Sequence, residues 1–156
     1  MKATELMIGD YVQLNGSPYV IEEISKKGWV HMTDPVHNLR VQMSTDYILD
    51  FIEGVPLTVE ILESNGFDLN GISEDLVPAE DRDFSDDTYV WQAGKFEDDT
   101  VVRVCVYFDY RYNDCIVELE TPNITTDSIR LKYVHQLQHA LRLCGIEKEI
   151  VLNPEP

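Results

Sequence analysis

Two histidines one helical turn apart form the most suggestive chemical pattern in this 156-residue chain. His135 and His139 lie at positions i and i+4 of the segment YVHQLQHALRLCGI, a spacing that can hold a zinc ion and is similar to HExxH. Gln136 occupies the position of the general base and accepts no proton at neutral pH, so metalloprotease chemistry is unsupported. The remaining His31 and His37 supply no third ligand by spacing. We therefore expect both imidazoles to make local hydrogen bonds, and a metal-dependent enzyme using His135 and His139 is only an alternative.

The three cysteines do not form a recognisable reactive or disulfide pattern. Cys105, Cys115 and Cys144 are odd in number and lack CxxC spacing, which is typical of a reduced, cytosolic protein. Cys105 and Cys115 fall in apolar strand-like segments, and Cys144 falls in the last turn of a helix, where the dipole raises a thiol pKa. We expect each to act as a small buried hydrophobe. GxSxG, Walker A and GxGxxG motifs are absent, so the sequence predicts no catalytic residue, no cofactor and no enzyme.

An acidic segment at residues 74–87 has alternate carboxylates that partly match a calcium loop. Asp81, Asp83, Ser85 and Asp87 have EF-hand spacing, but the sixth position is an Asp and the twelfth is Gln92. The loop therefore lacks its turn glycine and its bidentate ligand. We predict a solvated loop and leave open whether it is ordered or binds a divalent cation adventitiously.

The formal net charge is −17. Residues 1–55 carry eight acids and four bases (−4), residues 56–125 carry seventeen and four (−13), and residues 126–156 carry four of each. This balance disfavours direct binding to nucleic acids and to anionic membranes. It motivates another alternative, an acidic DNA mimic that inhibits a host nucleic-acid-binding protein. There is no apolar run of transmembrane length and no signal-peptide h-region, so we expect a cytoplasmic protein.

The apolar pattern predicts an α+β fold with two units. Short strands separated by turns, including Asn15-Gly16, predict an N-terminal small SH3-like β-barrel over residues 1–55, with YILDFI as its last strand. Residues 56–152 are predicted to form a helix capped by Thr58, an acidic loop, an antiparallel β-meander and a C-terminal amphipathic helix. We expect residues 153–156 to fray.

The two helices have well-marked ends. The first should stop at Asn65-Gly66, with Phe67 folding back onto it, and no regular structure is predicted from Asp68 to Asp87. The second carries an apolar stripe at Val134, Leu137, Leu141 and Cys144, and Gly145 should be its C′ residue. Ile129 and Leu131 predict either a short fourth strand of the meander or the first turn of this helix.

Three sequence blocks resemble a family of small uncharacterised proteins from gut anaerobic bacteria and their phages and mobile elements. The blocks are ELMIGDYV, GVPLTVEILESNGF and YVHQLQHALRLCGIEKEI, and together they cover about forty of the 156 residues. Val59 departs from the acidic or polar residue that is usual there, and the acidic segment is longer than usual. The resemblance implies a cytoplasmic accessory protein derived from a phage or mobile element and transfers no functional residue.

The abundance of core-forming residues beside the absence of a catalytic set favours a non-enzymatic interaction protein. Tyr11, Tyr19 and Trp29 of the barrel could line a groove for a protein partner, or they could belong to its core. The identity of the partner and the oligomeric state do not follow from the sequence.

Overall fold

The structure, a computed structural model, describes residues 6–48, 50–71, 87–93, 102–109, 112 and 114–152. These residues form an α+β fold with antiparallel sheets and three helices. The chain divides into two compact units: unit 1 comprises residues 1–56 with Tyr133–His135, and unit 2 comprises residues 57–132 and 136–156. None of the helices in the described ranges is long and apolar enough to cross a membrane.

Unit 1 is built on a five-stranded antiparallel sheet with the order β4-β3-β2-β1-β5. The strands are β1 (Tyr11–Leu14), β2 (Ser17–Ser25), β3 (Trp29–Thr33), β4 (Arg40–Ser44) and β5 (Ile52–Gly54). The predicted Asn15-Gly16 hairpin turn is confirmed: both residues have positive φ, and Leu14 pairs with Ser17. Alternate side chains of these strands form the core, which contains Val12, Ile21, Val30, Met32 and Ile52. Edge strands β4 and β5 do not pair among the described residues, so the sheet is open in its hydrogen-bond order.

The last predicted strand of unit 1, YILDFI, is wrong in part. The chain forms a helical turn, α1 (Thr45–Ile48), and only then enters β5. The N–H and the hydroxyl of Thr45 both donate to the carbonyl of Gly28, at 2.8 and 3.2 Å. This anchor from a distant turn curls the chain into a helix, so that Ile48 enters the core.

Unit 2 contains a second antiparallel sheet with the order β10-β9-β8-β7-β6. Its strands are β6 (Asp68–Gly71), β7 (Asp87–Ala93), β8 (Val102–Asp109), β9 (Asp114–Glu120) and β10 (Ile129–Leu131). One face of β8 is apolar and turned inward, because its alternate residues Val104, Val106 and Phe108 are buried. Of the two alternatives for Ile129 and Leu131, the strand is correct. The expectation that residues 68–87 lack regular structure is wrong for residues 68–71, since β6 pairs with β7 along its whole length.

The helices α2 (Val59–Ser64) and α3 (Val134–Leu143) end as the sequence predicts. Thr58 caps α2, its hydroxyl accepting from the N–H of Ile61 at 3.4 Å. After α2, Gly66 has positive φ, and the N–H of Phe67 donates to the carbonyl of Leu62 at 3.0 Å. After α3, Gly145 and Ile146 repeat this arrangement, a Schellman motif. In α3, Val134, Leu137 and Leu141 are fully buried, whereas Cys144 is half-buried.

Candidate functional site

His135 is part of the packing of unit 1. Its side chain is only 3% exposed, and its ring stacks on that of Tyr133 with centroids 5.6 Å apart and an interplanar angle of 11°. The two rings lie against the backbone of Gly54, where a methyl group would meet Tyr133 Cγ and would lie 2.9 Å from His135 Cε1. The N–H of Val134 donates to the carbonyl of Val55 at 2.9 Å and so fixes the start of α3 beside β5. Burial and stacking account for the position of this imidazole.

His139 lies one turn further along α3 and is half-buried. In the part of the chain that the structure describes, no group of three His, Cys, Asp or Glu side chains could hold a metal ion. His31 is half-buried on β3, and His37 lies in the β3–β4 turn. The described residues therefore offer no third ligand beside His135 and His139. A metal-dependent activity of these two histidines stays a prediction.

The β3–β4 turn is organised by one carboxylate. Asp34 Oδ1 accepts hydrogen bonds from the N–H groups of Val36 and His37 at 2.8 and 3.1 Å, and Oδ2 contacts His37 Nδ1 at 2.9 Å. The hydrogen bond from the His37 side chain is the main cause that lowers the pKa of Asp34, and the two backbone N–H groups lower it further. The arrangement is a turn that stabilises an ionised carboxylate.

The cysteines occupy three different environments, and all three are free thiols. Cys115 is buried, and burial raises its pKa to about 12. Cys105 lies half-buried on the outer face of the second sheet, where burial raises its pKa despite the charge of Arg103. The expectation of a fully buried side chain is therefore correct for Cys115 and wrong for Cys105 and Cys144. A raised pKa leaves Cys105 and Cys115 protonated at neutral pH, which makes them poor nucleophiles.

The outer face of the second sheet carries polar side chains that do not form a reactive set. The Tyr107 hydroxyl donates to Glu118 Oε2 at 3.3 Å, and Ser128 donates to the other carboxylate oxygen at 3.0 Å. Burial, reinforced by the charge of Glu118, raises the pKa of Tyr107 to about 12. Nearby, Arg130 Nη1 bridges the buried Asp109 carboxylate and Asp114 at 3.1 and 2.9 Å. Arg130 thus neutralises the buried Asp109 carboxylate, whereas the bonds to Glu118 lie at exposed positions.

The calcium-loop pattern and the acidic DNA-mimic alternative both depend on the acidic middle of the chain. Asp81, Asp83 and Ser85 lie outside the described residues. Asp87 and Gln92, which would stand at loop positions seven and twelve, belong to strand β7, so that half of an EF-hand loop does not form. Nine of the seventeen acids of residues 56–125 also lie outside the described residues, and the DNA-mimic alternative stays a prediction. The expected fraying of residues 153–156 falls outside them too.

The aromatic residues of unit 1 separate into core and surface. Tyr19 packs against the core, and Tyr11 is half-buried in β1. Trp29 is 42% exposed, and Tyr47 and Phe51 are 57% and 47% exposed. The rings of Tyr47 and Phe51 contact each other, with centroids 4.6 Å apart and an interplanar angle of 32°. We name Trp29, Tyr47 and Phe51 the aromatic surface.

The fold of unit 1 explains why these three rings face solvent. Trp29 pairs with Ser44, the residue that precedes α1, so β3 and α1 are neighbouring elements. Because α1 directs Ile48 into the core, Tyr47 faces outward and meets Phe51 four residues later. A strand over YILDFI, as the sequence predicts, would not bring Tyr47 and Phe51 together on the surface. The shift from strand to helical turn depends on the Thr45 hydrogen bonds to Gly28, for which the local sequence carries no signal.

Comparisons with known proteins give no assignment: no protein-family profile, no curated protein and no solved structure matches the chain.

Proposed function

We propose that the protein is a non-enzymatic interaction protein that binds a protein partner through the aromatic surface of unit 1. In this proposal unit 1 acts as an SH3-like barrel and unit 2 as an α+β unit with a C-terminal amphipathic helix. The protein would serve as an accessory factor derived from a phage or a mobile element. The single observation that supports it is the exposed Tyr47–Phe51 ring pair of unit 1, a unit that also exposes Trp29.

The aromatic surface leaves a large apolar area in contact with water. Tyr47 and Phe51 already contact each other, yet about half of each side chain is exposed. Complete burial of a large apolar side chain contributes about 1.5–3 kcal/mol, so covering three half-exposed rings contributes a few kcal/mol to binding. Aromatic side chains, Trp and Tyr above all, are enriched among the residues that dominate binding energies. Aromatic side chains have only two χ angles, so they lose little conformational entropy when they are bound.

The charges near the ring pair indicate the chemistry of the partner. Asp46 and Asp50 adjoin Tyr47 and Phe51 in the sequence, and both are exposed, as is Glu53. The whole chain carries a net charge of −17. A partner surface with apolar side chains flanked by Lys or Arg would therefore associate faster and more specifically than an acidic one.

The test compares affinity captures from lysate by quantitative mass spectrometry. The baits are the wild type, a Trp29→Ala/Phe51→Ala variant and a Leu143→Ala control. Leu143 is 83% exposed on α3 in unit 2, so its removal matches the loss of apolar surface without touching the aromatic surface. The expected result is a saturable partner held by wild type and control and reduced at least tenfold with the double variant. That factor corresponds to about 1.4 kcal/mol.

Two results would count against the proposal. One is the absence of any saturable partner under native conditions. The other is a partner held equally by the wild type and the Trp29→Ala/Phe51→Ala variant, which would place the binding surface elsewhere. Circular dichroism of the double variant controls for loss of fold.

A further inference from the structure

The segment that follows α3 in unit 2, residues 147–152, buries two of its side chains without joining a sheet. We name it the strap. It has no helix or strand of its own, yet Ile150 and Leu152 are buried, as is Ile146 just before it. Glu149 and Val151 between them are exposed. Alternation of buried and exposed side chains is the pattern of a β-strand bound on one face.

The side-chain amide of Gln138 in α3 makes two hydrogen bonds to the backbone of the strap. Its Nε2 donates to the carbonyl of Lys148 at 3.2 Å, and its Oε1 accepts from the N–H of Ile150 at 2.7 Å. In a parallel β-ladder a single residue bonds in this way to the carbonyl before and the N–H after the residue that it faces. The side-chain amide thus makes the bonds that a strand backbone would make.

Asn65, at the end of α2, makes the complementary pair of bonds. Its Oδ1 accepts from the N–H of Val151, and its Nδ2 donates to the carbonyl of Val151, both at 2.8 Å. Exchange of both bonds with one residue is the hydrogen-bonded pair of an antiparallel ladder. Asn65 Nδ2 also donates to the carbonyl of Ile61 at 2.7 Å, which fixes the orientation of the amide.

The two amides, together with the buried positions that Ile150 and Leu152 occupy, are here called the amide groove. Asn65 and Gln138 are 6% and 5% exposed, so their polar atoms are largely withdrawn from water. The Lys148 ammonium lies 5.5 Å from the centroid of the Trp91 ring, and burial lowers the pKa of Lys148. When the strap is bound, the amides exchange hydrogen bonds to water for bonds to the strap backbone, each contributing about 0.5–1.5 kcal/mol. The groove is therefore built to hold an extended chain.

Recognition in the amide groove has two parts. The four hydrogen bonds to the strap reach only backbone atoms, so they are independent of the strap sequence. Selectivity for one peptide sequence over another comes from the two buried positions that the side chains of Ile150 and Leu152 occupy, two residues apart. This division between backbone bonds and alternate side-chain positions is the one used when proteins bind extended peptides.

We propose that the amide groove is a peptide-binding site that the chain fills with its own strap and that can instead hold the strap of a second copy of this chain. The second copy is the occupant because every copy carries a segment with the matching backbone bonds and apolar spacing. The strap departs from α3 at Gly145, whose positive φ lets the chain change direction there. This site lies in unit 2 and is independent of the aromatic surface of unit 1.

Concentration decides which strap fills the groove. A short connection gives the strap of the same chain an effective concentration on the order of millimolar. Wild-type protein at micromolar concentration is therefore expected to be monomeric, and exchange becomes visible when the internal strap is disabled. Such exchange of identical elements is the route to domain-swapped dimers.

The test mixes two full-length variants with complementary defects. Ile150→Asp disables the strap and leaves the groove intact, and Asn65→Ala/Gln138→Ala disables the groove and leaves the strap intact. By light scattering after size exclusion, each alone should be a monomer of 18.0 kDa. An equimolar mixture at about 100 μM should contain a dimer of twice that mass. Val151→Asp is the matched control for Ile150→Asp because its side chain faces outward, and it should not form the mixed dimer.

A synthetic peptide of residues 145–152, GIEKEIVL, separates the groove from the second copy. In a Trp29→Phe background, Trp91 reports binding to the Ile150→Asp chain, because Lys148 of a docked strap lies over its ring. A peptide that carries Ile150→Asp should bind at least tenfold more weakly. Saturable peptide binding without a mixed dimer would overturn the second copy as occupant. Absence of both, up to about 1 mM, would overturn the peptide site itself.

If the Ile150→Asp chain fails to fold, the Ile150→Ala chain takes its place. It keeps an apolar side chain and removes most of the contact. Its mixture with the groove variant and its titration with the peptide have the same two outcomes.

Discussion

Substituting Gly54 by alanine tests the packing that joins Tyr133 and His135 to unit 1. Gly54 is buried in β5 and pairs with Val12 of β1. Its φ lies outside the left-handed region, so its backbone conformation suits alanine. The new methyl group would meet the Tyr133 ring at Cγ and at Cδ1, the latter at 2.7 Å, and His135 Cε1 at 2.9 Å. Because Cγ is the root of the ring and not a flexible end, the whole Tyr133 side chain must move.

Two effects of opposite sign set the magnitude. Alanine restricts the unfolded chain, which stabilises a protein by about 0.4–1 kcal/mol where the backbone is compatible. Overpacking a filled site costs about 1–3 kcal/mol. Since the contacts fall below 3 Å against two stacked rings, we expect the cost to dominate. The free energy of unfolding of unit 1 should fall by about 1–2 kcal/mol.

The assay uses the placement of one tryptophan in each unit. In a Trp91→Phe background, the fluorescence of Trp29 during urea unfolding reports unit 1 alone, which matters because a chain of two units need not unfold in one step. Repeating Gly54→Ala in a Tyr133→Ala background completes a double-mutant cycle. Once the ring is gone, most of the cost should disappear. Stabilisation of unit 1 by Gly54→Ala, or a full cost that persists without the Tyr133 ring, would contradict the expected clash.

Three further predictions concern a buried leucine of α3, the carboxylate of the β3–β4 turn and a buried thiol. Leu141→Ala should lower the free energy of unfolding of unit 2 by about 2–5 kcal/mol, because the Leu141 side chain is fully buried. The exposed Leu143 is the control, and Leu143→Ala should change this free energy by less than about 0.5 kcal/mol. Both are measured by Trp91 fluorescence in urea. Asp34→Asn should remove the part of the pH dependence of unit 1 that comes from the lowered pKa of Asp34 beside His37. In the wild type this stability is present above the ordinary pKa of Asp and is lost as pH falls through the lowered value, so the urea midpoints of the two proteins should converge once the pH lies below the lowered pKa of Asp34. Cys115 has a pKa of about 12, so about one in ten thousand of its thiols is ionised at pH 8, and it should react with a disulfide reagent only after unfolding. The measurement is mass spectrometry of Cys115 after timed quenching. Labelling of Cys115 in the folded protein at early times would contradict the prediction.

Local signals in the sequence predict the helix ends and the apolar faces well. The ends at Gly66 and Gly145 depend on one residue that tolerates positive φ and on an apolar residue after it, all within a single turn. The inner face of β8 depends on alternation along one strand. Both kinds of information lie within a few neighbouring residues.

Elements that depend on residues far away along the chain cannot be predicted from local signals. Residues 68–71 have no strand-like alternation, and β6 exists because β7 offers its edge. The segment YILDFI has the composition of a strand, but the Thr45 bonds to Gly28 make its first part helical. The aromatic surface depends on that change, so the exposure of the Tyr47–Phe51 pair could not be read from the residue types.

What the sequence determined by itself is therefore the set of local elements: hairpin turn, helix caps and apolar stripes, whose stabilising contacts lie close along the chain. Tertiary structure alone decided which polar side chains meet. Asn65 bonds to Val151, 86 residues away, and the short amide carries no sign of that partner in its own neighbourhood. Pairing over such distances reflects how the elements pack, and it produced both the amide groove and the outward rings of unit 1.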